Sequence, residues 1–371
     1  DQEEGDAMDA RQDFYLAALA QCPGLGSRRL GQLLQTGLDA VSLWQMPALE
    51  MSRLVKMPQG LVSTIDAFRR DHPDMPEALA DICEQRGVHL CTMQDEDYPY
   101  LLKEIFSPPP VLYCRGTLMP KERRVAIVGS RRLSPYGEAL ALEFGEQLAA
   151  AGLTVVSGAA RGIDTRSHRG ALKTGRTVAV LGCGIDVAYP AENRRLLAQI
   201  AESGAVISEY APGVQPLPAF FPARNRIISG LSEGTLVVEA AARSGSLITA
   251  ELALSEGREV YALPGSVFSK MSEGCHHLIQ QGARLVTKPG DILEDMGLVQ
   301  KVTAKKQKSM TPDERRVYQV LSFDRALSAD EILMSLPDGE MPNLSFTLLQ
   351  MELKGLIIEN ELHAYRRAER E

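Results

Sequence analysis

Short apolar runs alternate along the middle of the chain with segments whose apolar residues have helical spacing. The runs have the length and the β-branched content of buried strands, and the segments between them are long enough for helices. This alternation predicts an α/β domain over residues 88–297, with a doubly wound parallel sheet between two layers of helices. The predicted strands are 88–93, 111–115, 124–129, 153–157, 177–182, 205–209, 234–239, 259–263 and 283–287, and the predicted helices are 136–151, 163–174, 191–203, 223–232, 246–256 and 273–281.

The regions on either side of this domain have different patterns. Residues 13–87 predict an all-α domain of the SAM or helix-hairpin-helix type, because 22–30 form an apolar-Gly-apolar-Gly turn before a helix. Residues 311–371 predict three helices and a two-stranded hairpin, a winged-helix-like pattern, with Thr311 capping its first helix. We interpret 1–12 as a disordered lead-in and 298–310 as a basic linker.

Composition narrows the class of protein. The chain has 371 residues, 44% of them hydrophobic and 24% charged, which is typical of a soluble protein of two or three domains. No apolar run approaches the roughly 20 residues of a membrane span, so we expect no membrane partner. Six cysteines without a C-x-x-C pair fit a cytoplasmic protein without disulfides. Cys275, His276 and His277 are neighbours that point in different directions on a helix, so we predict no metal site.

The net charge of −8 is unevenly distributed. Residues 1–110 carry 9 Lys/Arg and 18 Asp/Glu, which favours a packing role for the amino-terminal hairpins over the alternative that they bind DNA phosphates. Residues 121–226 carry 14 Lys/Arg and 9 Asp/Glu, a net charge of +5. This basic region includes the loops that follow the first predicted strands of the sheet, and an excess of positive charge there predicts an anionic ligand.

Glycines, hydroxyl groups and guanidinium groups occur directly after the predicted strands. In a parallel sheet these positions would all lie at one edge. Glycine lets the backbone approach a phosphate closely, and Ser, Arg and helix amino termini donate hydrogen bonds to phosphate oxygens. We therefore predict a series of phosphate-binding loops along this edge. The predicted residues are Gly129, Ser130, Arg131, Arg132, Ser157, Gly158, Arg161, Gly162, Asp164, Arg224, Asn225, Arg226, Ser244, Gly245 and Ser246.

Other chemistry is disfavoured by missing motifs. The loops contain no G-x-G-x-x-G, G-x-x-x-x-G-K-[ST] or G-x-S-x-G sequence, so we expect no bound dinucleotide or other cofactor, no P-loop hydrolysis and no serine nucleophile. Asp164 is predicted to cap a helix rather than to orient Arg161 or a neighbouring loop. Glu239 is predicted to form an ion pair with an arginine of the edge rather than to act as a catalytic carboxylate, and His168 to have a structural role.

Longer motifs resemble a known family. The segments SGAARGIDTRSHRGAL, FPARNRIISGLSEGTLVVEAAARSGSLITAELA, GREVYALPG and EGCHHLIQQGARLV occur in the order and spacing of the DNA-processing protein A (DprA or Smf) family. The resemblance is dense over 110–297. One departure is Arg166-Ser167, where the family more often has alanines, and we expect no functional consequence from it.

The resemblance implies an extended Rossmann-like domain that binds single-stranded DNA, forms a homodimer and loads the RecA recombinase during natural transformation, without enzymatic activity. DNA contacts are implied for Arg131, Ser157-Gly158, Lys173 on the following helix, and 224–226. Changing Arg131 or Lys173 to Glu should then weaken DNA binding at least tenfold, about 1.4 kcal/mol. Dimer contacts are implied for Leu247, Leu254, Val260 and Leu263.

Two other functions stay open. A small-molecule enzyme or sensor related to lysine-decarboxylase-like phosphoribohydrolases is disfavoured, because their P-G-G-x-G-T loop is replaced here by residues 240–246. A transcription regulator that binds duplex DNA is disfavoured by the lack of net positive charge in 298–371. If the ligand is a single strand, its exposed bases need a stacking surface. The candidates are Tyr136, Tyr189, Phe220 and Phe221, for which packing in the core is the alternative.

Overall fold

The computed structural model describes residues 12–298, 310–337, 339–360 and 363–368. The chain divides into two compact units, residues 1–300 and 301–371. The predicted lead-in falls outside the described residues except for residue 12, and the predicted linker does so except for residues 298 and 310. The boundaries predicted at 87/88, 297/298 and 310/311 stay predictions.

A nine-stranded sheet forms the centre of the first unit. Its order is β1-β2-β6-β5-β4-β3-β7-β8-β9, in which β3 to β9 run parallel and β1 and β2 add an antiparallel edge beside β6. The predicted Rossmann-like α/β sheet is confirmed, and it is mostly parallel. The strands are β1 (His89–Thr92), β2 (Val111–Gly116), β3 (Arg124–Val128), β4 (Thr154–Ser157), β5 (Thr177–Leu181), β6 (Ala205–Ser208), β7 (Gly234–Val237), β8 (Glu259–Ala262) and β9 (Arg284–Leu285).

Helices cover both faces of this sheet. The amino-terminal helices are α1 (12–20), α2 (Gly26–Leu34), α3 (Ala40–Gln45), α4 (Ala48–Leu54), α5 (Gln59–Asp71) and α6 (Met75–Arg86), and those of the sheet region are α7 (Tyr100–Lys103), α8 (Pro135–Ala150), α9 (Ile163–Ala171), a 3₁₀ turn (Ala191–Asn193), α10 (Arg194–Ser203), α11 (Phe220–Gly230), α12 (Gly245–Ser255), α13 (Glu273–Gln280) and α14 (Pro289–Asp295).

The alternation of side chains along the strands separates two apolar layers. In β5, Val178 and Val180 belong to the same apolar cluster as residues of α11, α12 and α13, whereas Ala179 and Leu181 belong to the cluster of α10 and the amino-terminal helices. Strands β3 to β7 are buried along their whole length, which is why their sequences are continuously apolar. The amino-terminal helices therefore share a core with the sheet.

The strand order reverses at β3. The chain continues from β3 to β4, β5 and β6 on one side and returns to β7, β8 and β9 on the other. In doubly wound sheets, ligands bind in the crevice at the carboxyl ends of the strands beside such a reversal. The loops after β3 and β7 therefore have the positions at which a ligand is expected.

Among its described residues, the second unit contains three helices and a three-stranded antiparallel sheet. Thr311 and Glu314 form a reciprocal capping box at the start of the first helix, as the sequence predicts. A short strand between the first two helices pairs with the last strand, so the sheet has three strands and not the two predicted. That it is a winged-helix domain stays a prediction. The elements are α15 (Pro312–Val320), β10 (Leu327–Ser328), α16 (Ala329–Ser335), α17 (Leu344–Leu353), β11 (Ile357–Glu359) and β12 (Ala364–Arg367).

Within the described part of both units, the helices are too short or too polar to span a membrane.

Candidate functional site

A cleft of about 750 Å³ opens at the carboxyl ends of β3, β4 and β7, beside the reversal of strand order. It brings together ten of the sixteen residues for which sequence motifs or the family resemblance predict phosphate or DNA contacts. These are Gly129, Ser130, Arg131, Arg132, Asp164, Arg224, Asn225, Ser244, Gly245 and Ser246.

The loop after β3 places two exposed arginines at the mouth of the cleft. The Ser130 N–H donates to the backbone oxygen of Glu239 at 2.7 Å, and the Arg132 N–H donates to the Ser130 hydroxyl at 3.1 Å. These bonds fix the backbone of the loop. The Arg131 guanidinium carbon lies 5.6 Å from the centre of the Phe221 ring, an arrangement that combines a positive charge with an aromatic face.

Asp164 holds the loop after β4. It is buried in the first turn of α9, and its Oδ2 accepts from the backbone N–H groups of Gly158 at 3.2 Å and Ala160 at 3.3 Å. The predicted helix cap is therefore wrong, and the loop-holding alternative is the better description. Burial raises the pKa of this carboxyl, and the nearby Arg224 guanidinium opposes that effect. The two N–H groups point to Asp164 and are not free for a ligand.

Arg224 places a positive charge in the wall of the cleft. Its Nη1 donates to the backbone oxygens of Gly158, at 2.7 Å, and Val180. Burial lowers the pKa of this guanidinium, and Asp164 opposes the shift. Its Nε–H has no partner in the described part of the chain. A Cβ on Gly158 would lie 2.6 Å from the guanidinium nitrogens, so glycine at 158 makes the room that Arg224 occupies.

The amino terminus of α12 forms another wall of the cleft. Ser244 caps this eleven-residue helix, with its hydroxyl 3.4 Å from the Ser246 nitrogen and 2.8 Å from the Ser246 hydroxyl. Asn225 of α11 donates to the Gly245 oxygen at 3.4 Å. A helix amino terminus with hydroxyls beside it favours an anion.

Two of the four candidate aromatics line the cleft. The rings of Tyr189 and Phe221 are 5.3 Å apart, and 46% of Tyr189 is exposed. The other two candidates are engaged elsewhere, since the Tyr136 hydroxyl donates to a backbone oxygen at 2.6 Å and Phe220 stacks on Tyr210 at 4.1 Å. The accessible stacking surface of the cleft is therefore formed by Tyr189 and Phe221.

Ser157 and Gly162 have structural positions. The Ser157 hydroxyl is fully buried and donates to the backbone oxygen of Ile127 at 2.7 Å, so the predicted contact of this hydroxyl with phosphate does not fit the structure. Gly162 has a φ of 81°, and a Cβ there would collide with the backbone oxygen of Ser130. This glycine allows the loops after β3 and β4 to touch.

Arg226 points away from the cleft. Its Nη2 lies 2.6 Å from the Glu209 carboxylate and its Nε donates to the Ser107 oxygen at 3.0 Å. Residues two apart on a helix point about 200° apart, so Arg224 and Arg226 cannot serve the same pocket. The prediction that Arg226 belongs with the phosphate-binding loops is therefore wrong for its side chain.

Lys173 and Arg161 do not line the cleft. Lys173 follows the carboxyl end of α9, which runs back to the opposite edge of the sheet, and its ammonium lies 2.9 Å from the Glu146 carboxylate. We therefore exclude Lys173 from the candidate site. Arg161 is exposed near the cleft and forms a bidentate pair with Glu192 at 2.9 Å, so a DNA contact there stays a prediction.

The predicted dimer contacts differ in exposure. Val260 and Leu263 are 2% and 1% exposed and belong to the interior around β8, so they are not available to a partner and this part of the prediction is wrong. Leu247 is half-buried against the core, whereas Leu254 on α12 is 50% exposed. Of the four predicted contacts, Leu254 is thus the most exposed, and a dimer surface on α12 stays a prediction.

Glu239 and His168 hold the scaffold of the cleft. Glu239 is buried and accepts from the N–H of Ser134 at 3.0 Å and from its hydroxyl, so the predicted ion pair with an arginine is wrong. The His168 ring is fully buried with Nδ1 2.7 Å from the Thr177 hydroxyl, in agreement with a structural role.

Among the described residues, no group of three or more His, Cys, Asp or Glu side chains could hold a metal ion.

One arginine outside the predicted set lines the cleft, and one exposed aromatic residue lies in a loop that contributes to the lining. Arg243 lines the cleft beside Ser244. Its position next to a Ser-Gly-Ser loop is a sequence feature from which its place in the site could have been predicted. Phe268 is 95% exposed in the loop after β8, in which Met271 lines the cleft. An apolar residue has no sequence signal for such exposure, because phenylalanine usually lies in the core.

Comparison with known proteins places this chain in a family. The model of DNA recombination-mediator protein A matches residues 89–297. The DNA processing protein DprA of Streptococcus pneumoniae is 51% identical over 203 residues, which cover 54% of this chain and 72% of that protein. Protein Smf of Escherichia coli is 44% identical over 286 residues, 74% of this chain and 76% of that protein. The chain belongs to the DNA recombination-mediator protein A family. The resemblance noted in the sequence is thereby confirmed.

Solved structures of this family agree with the fold. The X-ray structure of DprA from Streptococcus pneumoniae has a TM-score of 0.67 at 38% identity, covering 77% of this chain and 97% of that chain. A structure that describes the single-stranded DNA binding mode of DNA processing protein A from Helicobacter pylori has a TM-score of 0.51 at 30% identity, covering 56% of this chain and 95% of that chain.

Proposed function

We propose that this protein binds single-stranded DNA in the cleft without catalysis and delivers it to the RecA recombinase. The observation that carries the proposal is the placement of exposed Arg131 and Arg132, buried Arg224 and the amino terminus of α12 around one cleft with an aromatic wall. The single-stranded DNA binding mode described for the Helicobacter pylori relative supports the identity of the ligand.

Single-stranded nucleic acid presents phosphates and unpaired bases together. Proteins that bind it combine a positively charged groove with aromatic side chains on which bases stack. Here Arg131 lies against Phe221, and Phe221 packs beside the half-exposed Tyr189, so a phosphate and its base can be held by adjacent side chains. A duplex, whose bases are already stacked and paired, cannot use this wall.

The residues of the cleft favour binding over catalysis. The carboxyl group among the lining side chains is that of Asp164, which is buried and occupied by two backbone N–H groups. A general base must reach the proton that it abstracts, and this carboxyl is directed at the loop instead. The Ser244 and Ser246 hydroxyls are within hydrogen-bonding distance of each other, which fits a role at the helix terminus.

The proposed partners, besides DNA, are a second copy of the chain and the RecA recombinase. A homodimer through α12 would join two clefts into a longer DNA track and add avidity. The winged-helix-like second unit would contact a protein rather than duplex DNA, since its described α17 presents exposed Phe346, Leu349 and Leu353 instead of basic side chains. RecA loading would be measured as a shortened lag in RecA assembly on single strands that are coated with a single-strand-binding protein.

Fluorescence anisotropy with labelled oligo-dT tests the DNA site. We expect the affinity to fall as the salt concentration rises. Unlabelled single strands should displace the labelled oligo-dT, whereas duplex DNA and free nucleotides should not. Arg131→Glu should weaken binding at least about tenfold, 1.4 kcal/mol, because it reverses an exposed charge at the mouth of the cleft. Lys173→Glu should change affinity by less than about twofold, since Lys173 lies at the other edge of the sheet.

The control is Lys121→Glu, which makes the same charge change at an exposed position just before β3, at the amino edge of the sheet. Equal losses in the Arg131 and Lys121 variants would show that only the overall charge matters and would contradict a defined site. Tight binding of a free nucleotide with turnover would favour the small-molecule enzyme instead.

A further inference from the structure

A second cavity, of about 430 Å³, lies where the two amino-terminal hairpins meet the sheet domain. Lys56 comes from the segment before α5, and the Leu61 side chain of α5 lies next to Gly24 of the first hairpin. No side chain caps the start of α2, which opens into this cavity. The lining residues are Leu25, Gly26, Ser27, Arg28, Arg29, Gln32, Lys56 and Ser107, with no acidic residue among them.

The cations that line this cavity form no ion pair among the described residues. Residues 12–87 contain seven Lys/Arg, of which Arg69, Arg70 and Arg86 pair with aspartates. The other four form no ion pair within the described part of the chain, and three of these four line this one cavity. The fourth is Arg53. A local cluster of free cations in an otherwise acidic region indicates an anion-binding surface.

An exposed aromatic ring accompanies these charges. Phe106 is 73% exposed, next to Ser107 of the lining, and the Arg28 guanidinium carbon lies 4.9 Å from its ring centre. A phenylalanine this exposed gains nothing from burial in the folded protein. An aromatic face beside free cations is the combination that binds unpaired nucleotides, and it repeats the pairing of Arg131 with Phe221.

The second cavity lies on the same edge of the sheet as the cleft. The Ser27 hydroxyl donates at 2.6 Å to Glu209, which directly follows β6. The Ser107 oxygen accepts from Arg226, the neighbour of Asn225 on α11. Since adjacent strands are about 4.8 Å apart, β6 lies only about 10 Å from β4, two positions away. A strand a few nucleotides longer than the cleft requires reaches both places.

We propose that Arg28, Arg29, Lys56 and Phe106 form a second binding site for single-stranded DNA, which holds the same strand beyond the cleft. This inference rests on the proposed function of the cleft. According to this proposal, the amino-terminal hairpins contact DNA. The acidic charge of the amino-terminal region as a whole disfavours such a contact. The Arg226–Glu209–Ser27 network then has a function, since it fixes the second site relative to the first.

Oligonucleotides of two lengths distinguish the two sites. With the full chain, oligo-dT of about 6 nucleotides reaches the cleft alone, whereas oligo-dT of about 20 nucleotides spans both sites. For Arg28→Glu/Lys56→Glu we expect the longer oligonucleotide to bind at least about fivefold more weakly and with a smaller salt slope, and the shorter one to bind as before. Phe106→Ala should weaken the binding of the longer oligonucleotide and leave the binding of the shorter one unchanged.

Arg53→Glu is the matched control for Lys56→Glu, because both exposed cations lie within four residues on the same module and only Lys56 lines the cavity. Unchanged binding of the longer oligonucleotide to the double variant, with the fold intact by circular dichroism, would overturn the inference and leave the cleft as the DNA site. An equal loss from Arg53→Glu would overturn it too. Failure of the unmodified protein to bind either oligonucleotide would refute the proposed function itself.

Discussion

At residue 158 the absence of a side chain determines where a positive charge lies. The space that a Cβ would fill is taken by the Arg224 guanidinium, whose Nη1 bonds to the Gly158 oxygen at 2.7 Å. A buried guanidinium is tolerated only with such partners, because losing them leaves a desolvated charge unpaired. The glycine therefore has a packing function here, in place of the direct approach to phosphate that the sequence predicts.

Gly158→Ala should consequently destabilise the protein. We expect the free energy of unfolding to fall by about 1–3 kcal/mol, because the guanidinium or the loop must move to admit the methyl group. Urea denaturation followed by circular dichroism measures it. Gly31→Ala is the control, since Gly31 lies within α2 with open space where a Cβ would lie, and alanine there should stabilise the protein by up to about 1 kcal/mol. Equal stability of Gly158→Ala and the parent would contradict the packing argument.

His168 makes the stability of the fold depend on pH. Burial, together with the nearby Arg224 charge, lowers the pKa of its imidazole from 6.5 to about 3. Between these values the unfolded chain binds a proton that the folded chain does not, so the free energy of unfolding falls as the pH falls below 6.5. At pH 5 the loss from this group is about 2 kcal/mol relative to pH 7.

His168→Asn tests this effect. The variant keeps Asp164 and every other titrating group, so the difference in stability between parent and variant isolates the histidine. We expect the parent to lose about 2 kcal/mol more than the variant between pH 7 and pH 5, measured by urea denaturation at each pH. Parallel pH profiles would mean that the imidazole is not held neutral in the folded chain.

Single residues also show where sequence reasoning reaches its limit. Arg224 and Arg226 look equivalent in the motif, yet the first lines the cleft and the second bonds Glu209 and Ser107. The difference depends on what each side of α11 packs against, which the motif does not contain. Glu239 is similar, because its partner Ser134 is 105 residues away in the chain.

At the scale of elements the sequence was informative, because the strands of the parallel sheet are buried on both faces and are therefore continuously apolar. Each of the seven parallel strands lies inside its predicted range. The two-residue strand β10 was missed, since so short a run has no periodicity to detect. The predicted dimer contact on α12 stays a prediction, whereas the adjoining β8 is apolar because it lies in the interior.

The helix α12 carries the prediction of self-association. Leu254 is 50% exposed on it, and an exposed apolar side chain on a helix is a suitable contact for a second copy of the chain. Leu254→Glu should convert a dimer to a monomer at micromolar concentration in sedimentation velocity, because it would bury unpaired charges in the interface. Leu49→Glu, at a leucine of α4 that is 58% exposed, is the control. A dimer that survives Leu254→Glu would move the interface elsewhere.

At the scale of the whole molecule, both proposed DNA-binding surfaces lie in the first unit. Every residue of the cleft lies between 128 and 271, and the second cavity lies between 25 and 107, so both are inside the compact unit that ends at residue 300. The described helix α17 has an exposed face of Phe346, Leu349 and Leu353, which suits a protein contact better than a phosphate backbone. The two units are therefore expected to serve different partners.

A chain that ends at residue 300 separates these functions. We expect it to bind oligo-dT within about twofold of the full chain, with the same salt slope, because the proposed phosphate contacts that would set this slope lie in the first unit. Circular dichroism establishes first that the shortened chain is folded, and Arg131→Glu in the same background shows that the binding still uses the cleft. A tenfold loss on shortening would mean that residues 301–371 hold DNA themselves. Unchanged DNA binding with a lost effect on RecA assembly would instead assign the second unit to the recombinase, because delivery then fails although the strand is still held.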